Sequence, residues 1–101
     1  MPIKVILQAM DGKREDEVVD PEYSLANIWP VDDRSYPLLQ YVDPYGNTMF
    51  NRQQMPEVRK ELNNLLERAS TDKQRDILLR ILALVAKCED RPHMLLRFRG
   101  D

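Results

Sequence analysis

"STDKQRDILLRILALVAKCED" occupies residues 70–90, and its reading decides the fold. Ile77, Leu78, Ile81, Leu82, Leu84, Val85 and Cys88 recur at intervals of three and four. That spacing gathers them on one broad side of an α-helix. Thr71 stands three residues before Gln74, the spacing of a capping box, in which each side chain closes a free backbone N–H at the helix start. Pro92 has no N–H to donate and stops the helix. So wide an apolar side has to lie against an equally apolar surface, and the remaining chain is read for that surface.

Immediately before it, "PEVRKELNNLLERAS" (56–70) places Val58, Leu62, Leu65, Leu66 and Ala69 on a second helical stripe. Pro56 suits the first helical position, where its missing donor costs nothing. Immediately after it, "HMLLRFRG" (93–100) alternates Met94, Leu96 and Phe98 against Leu95, Arg97 and Arg99, the period of a strand. At the other end of the chain, "IKVILQAM" (3–10) alternates Ile3, Val5 and Leu7 against Lys4, Ile6 and Gln8. Asp11-Gly12 marks a turn, and Val18-Val19 predicts a short edge strand. Residues 21–37 hold three prolines and no period, so they read as an ordered loop pinned by Tyr23, Leu25, Ile28 and Trp29. "PLLQYV" (37–42) and "NTMFN" (47–51) flank "DPYG", which predicts a β-hairpin with Gly46 at positive φ. The resulting order is β, short β, loop, β-hairpin, α, α, β. It predicts an α+β two-layer sandwich, a mostly antiparallel sheet covered on one face by two helices of the C-terminal half, with a final strand at the C-terminus.

The 101 residues suit one domain, 1–101, and one core. An apolar fraction of 43% with 32% charged residues is a globular composition. Net charge is −2, which provides no general basic field for nucleic acid, and no apolar run is long enough for a membrane helix. The N-terminal stretch has no secretory pattern, and a single cysteine suits a reducing compartment; a cytoplasmic location is expected. Cys88 and His93 are each the only residue of their kind, so no metal-ligand set is expected, and no phosphate-cradling glycine loop points to a cofactor.

Two stretches carry candidate binding residues. In "YVDPYGNTMFNRQQM" (41–55), Asp43 and Tyr45 sit at a turn tip, while Asn51 and Arg52 sit at the entry to a helix. If the chain folds back there, they make a site for an acidic or phosphorylated ligand, binding or hydrolysing it. The alternative is structural: Asp43 holds its own turn, Asn51 caps the helix, and the apolar residues pack. In the second stretch, residues 11–22 carry six carboxylates, among them Glu15, Asp16 and Glu17. Such a patch steers a basic partner, or is simply solvated. Trp29 anchors an interface if exposed and plugs the core edge if not. With no nucleophile–base pair apparent, the expected role is a small non-catalytic protein-interaction domain, inhibitor- or immunity-like, with a protein partner of basic character and homodimerisation as a further option.

"YPLLQYVDPYGNTMFNRQQM" (36–55) and "PHMLLRFRGD" (92–101) resemble a family of small bacterial single-domain proteins without an assigned activity. The resemblance covers a third of the chain and implies no catalytic residue.

Overall fold

The computed structural model describes residues 3–100. Four strands, β1 (Ile3–Ala9), β2 (Arg14–Asp20), β3 (Asn47–Asn51) and β4 (Met94–Gly100), form one sheet in the order β2-β1-β4-β3. Every neighbouring pair is antiparallel. Two helices, α1 (Met55–Arg68) and α2 (Asp72–Asp90), pack on each other, and α2 lies against the sheet. This is the expected α+β two-layer arrangement, with the last strand near the C-terminus.

The alternation seen in the sequence sorts the sheet into two unlike faces. Ile3, Val5, Leu7, Val18, Met94, Leu96, Phe98 and Phe50 point to the helices. There they meet Val58, Leu62 and Leu65 of α1 and Ile77, Leu78, Ile81, Leu84, Val85 and Cys88 of α2 in one continuous core. Apolar area removed from water, at about 25 cal/mol per Å², is what holds these layers together. Both helical stripes match their predicted members, except that Leu66, Ala69 and Leu82 are only partly buried at the margin. The Thr71–Gln74 capping box forms in both directions.

The predicted 37–51 hairpin does not form. β3 pairs with β4, and Leu39–Tyr41 makes a single 3₁₀ turn. The physical reason is a three-residue period: Leu39 and Val42 are buried, whereas Tyr41 is exposed. That is the period of a 3₁₀ turn and not of a strand. The carboxylate of Glu61, from α1, accepts the N–H groups of Leu38 and Leu39 and holds the turn's start. Nor does Gly46 take positive φ; the glycine that does is Gly12, at +94°. Gly12 closes the true hairpin, β1 to β2, where its N–H reaches the Ala9 carbonyl at 2.9 Å.

The short edge strand expected at Val18-Val19 is a full seven-residue strand. Its register slips where Leu7 pairs with Asp16 while Gln8 pairs with Arg14, so Glu15 is the extra residue of a bulge. The bulge turns Glu15 and Asp16 together toward α2. Asp16 pairs with Lys87 at 2.6 Å and Glu15 with Arg91 at 3.5 Å.

Loop 21–37 crosses the helical side and is tied at several points. Leu25, Trp29 and Tyr36 are buried in the core. The buried Asp20 carboxylate accepts from Ser24 N, Ser24 Oγ and Leu25 N. Gln74 donates to the Ser24 carbonyl, so the residue that caps α2 also clips the loop to it.

Candidate functional site

Helices and loop cover one face of the sheet. The other face is read directly from the register. Across the four strands it presents three rows: Arg14, Gln8, Leu95 and Asn51; then Glu17, Ile6, Arg97 and Met49; then Val19, Lys4, Arg99 and Asn47. Among these twelve positions four cations stand against one carboxylate, a formal +3 in a chain whose total is −2. The two end columns carry exposed apolar side chains, Met49 at 52% and Val19 at 39%. Ile6, at the centre between Glu17 and Arg97, is fully buried yet lies outside the core. Long side chains on flanking strands bury such a residue under their aliphatic stems while their heads stay in water.

Gln8 is 6% exposed, and its Oε1 has no hydrogen-bond partner among the described residues. A buried acceptor left without a donor costs about 1–3 kcal/mol. Arg97 is partly held, its Nε donating to Asn47 Oδ1 at 2.9 Å. Arg99 and Arg14 are exposed.

The sequence-predicted residues fall in several places. Asp43 and Tyr45 stand at the start of β3, and Asn51 and Arg52 at its end. The strand between them is extended, so about 17 Å of chain separates the pairs. Asp43 Oδ1 accepts the Tyr45 N–H at 2.8 Å and so holds its own turn. Tyr45 is exposed. Asn51 and Gln54 form a reciprocal capping box that starts a 3₁₀ turn, Arg52–Gln54, leading into α1. Arg52 donates from Nε to the Glu89 carbonyl at the end of α2, at 2.8 Å. With Met10, Asn51, Gln53, Pro92 and His93 it lines a shallow cleft of about 400 Å³. Trp29 is buried, donates from Nε1 to the Leu39 carbonyl and packs against Phe98.

The acidic segment is largely spoken for. Besides Glu15, Asp16 and Asp20, Glu22 pairs with Lys73, and Asp11 Oδ1 accepts the Lys13 N–H at 3.0 Å. The Lys87 ammonium and the Glu17 N–H hold the Asp16 carboxyl below its ordinary range. Glu17 alone of the trio Glu15–Glu17 faces away from the helices, into the basic rows.

Glu61 is the residue that sequence reading missed. It is 1% exposed, and burial together with the neighbouring Glu57 carboxyl pushes it up to about 7. A carboxyl inside an apolar stripe, between Val58 and Leu62, was the available signal. Burial likewise raises the Cys88 thiol, as expected of an inert core cysteine. Among the described residues no three His, Cys, Asp or Glu side chains are gathered to hold a metal ion, and no helix is long and apolar enough to cross a membrane. No family model, no curated protein and no solved structure matches the chain, so its function has to be read from its own surfaces.

Proposed function

We propose that the chain is a small non-catalytic protein-interaction domain, cytoplasmic, that docks its partner on the helix-free face of its sheet. One observation carries this: the two faces are chemically distinct, and the uncovered one carries the exposed apolar residues Met49 and Val19 on its two edge strands, flanking Lys4, Arg97 and Arg99 on the central ones. Methionine and arginine are enriched at interfaces relative to the rest of a protein surface. The earlier candidates, Trp29 and the 11–22 carboxylates, support this surface less, because the first is buried and most of the second pair within the chain. An inhibitor- or immunity-like role is one concrete form of the proposal. The test is site-specific photocross-linking in the native host. A cross-linker replacing Met49 should capture a defined protein. One replacing Leu79, exposed at 55% on α2, should not. Capture from position 79 and not from 49 sinks the proposal.

A second reading rests on the cleft beside Arg52 and His93, two nitrogen-rich side chains suited to a small anion. Phosphate titrated into the protein should then shift the His93 ring resonances, and Arg52→Ala should abolish the shift. No shift at millimolar phosphate removes this reading.

A further inference from the structure

We infer that the occupant of the uncovered sheet face is an acidic polypeptide segment, an inference that rests on the proposed protein-interaction role. Charge is the first argument. Lys4, Arg14, Arg97 and Arg99 stand across three strands against Glu17 alone. Arg97 stands between Ile6 and Met49, and Lys4 stands beside Val19. The surface therefore suits a chain that alternates carboxylates with apolar side chains. The carboxylates meet the cations, and the apolar groups lie against Met49 and Val19.

Exposed apolar side chains supply the second argument. Met49 and Val19 flank the cations at 52% and 39% exposure, and a segment that carries apolar groups among its carboxylates takes them out of water.

Other occupants fit less well. Two copies of this face would set +3 against +3, which opposes a face-to-face dimer. Nucleic acid finds no base-stacking platform at these twelve positions, since none of them is aromatic.

The experiment is an amide-NMR titration of the whole protein with three probes: a capped ten-residue peptide alternating glutamate with leucine, its lysine–leucine counterpart, and single-stranded oligodeoxythymidine. The acidic peptide should shift the amides of Ile6, Gln8, Met49 and Arg97, and its affinity should fall at least tenfold in 0.5 M salt. Arg99→Glu, an exposed change, should weaken it about tenfold with the melting temperature unchanged. The double variant Arg97→Glu with Arg99→Glu should abolish it. Equal binding of the basic peptide, or indifference to Arg99→Glu, overturns the inference; so does binding of the oligonucleotide in place of the acidic peptide. If the acidic peptide leaves the face untouched while the position-49 cross-linker captures a basic or neutral protein, the acidic assignment fails and the interaction role stands. If neither binds, both fail.

Discussion

Glu61 shows how one residue can set a pH dependence for the whole fold. Its carboxyl is pushed up to about 7 in the folded chain, while an unfolded glutamate titrates near its ordinary value. The folded state therefore holds the proton more tightly, and stability is lost as pH rises from about 4.5 to 7. The loss is on the order of 1–3 kcal/mol. Glu61→Gln keeps an oxygen for the Leu38 and Leu39 N–H groups and adds no charge. It should flatten this limb of the stability profile, measured by urea unfolding between pH 5 and 8. Asp16, Glu22 and Asp33 are held low by hydrogen bonds and cations, so stability lost on acidification below about pH 4 should persist in the variant. An unchanged slope above pH 5 would contradict the role given to Glu61. Gly100 is the second informative residue. Its N–H donates to the Gly46 carbonyl at 2.8 Å, and a Cβ placed on it would run into the Pro44 carbonyl. Gly100→Ala should cost about 1–3 kcal/mol, as overpacking does, and a midpoint shift near zero would show that the Pro44 turn moves freely. Glu61 left one signal in the sequence, its place inside an apolar stripe, and Gly100 left none. A buried carboxyl and a close backbone approach both depend on neighbours that are distant along the chain.

At the scale of elements, the helices and the two central strands were legible because their signals are local. Period, cap and stop for α2 all lie within residues 70–92. β3 was found, but its partner was misassigned. Turn chemistry at "DPYG" predicts a reversal, whereas β3 lies along β4, with Phe50 packed edge-on against Phe98. β2 was under-read because the bulge spends consecutive carboxylates on α2, which breaks the alternation. The grading along α2 can be measured. Leu78 is fully buried, and Leu78→Ala should cost about 2–5 kcal/mol. Leu82 sits at the core margin, and Leu82→Ala should cost less than about 2 kcal/mol. Equal costs in urea titration would mean that α2 is rotated from the orientation described. The capping box at Asn51 predicts about 0.5–2 kcal/mol for Asn51→Ala. A loss of ligand binding without a change in melting would instead make Asn51 a binding residue.

The whole molecule is a sheet used asymmetrically, with one face spent on folding and the other left for solvent or a partner. The residues of both faces were visible in the alternation of residues 3–10 and 93–100. What was not visible was which strands stand side by side, and so that Arg97, Arg99, Lys4 and Arg14 share one surface. Net charge hid this as well, because a near-neutral total averages a basic face with an acidic remainder. The asymmetry can be tested without any partner by mild peroxide oxidation of the native protein, followed by peptide mass spectrometry. Methionine converts to its sulfoxide in proportion to exposure. Met49, on the uncovered face, and Met10, at the hairpin, are 52% and 59% exposed, whereas Met55 and Met94 are buried in the core at 0% and 4%. The account predicts rapid oxidation of Met10 and Met49, protection of Met55 and Met94, and slower oxidation of Met49 when the glutamate–leucine peptide is added. Protection of Met49 in the isolated chain, or oxidation of Met94 at the same rate, would mean that the face described as open is covered.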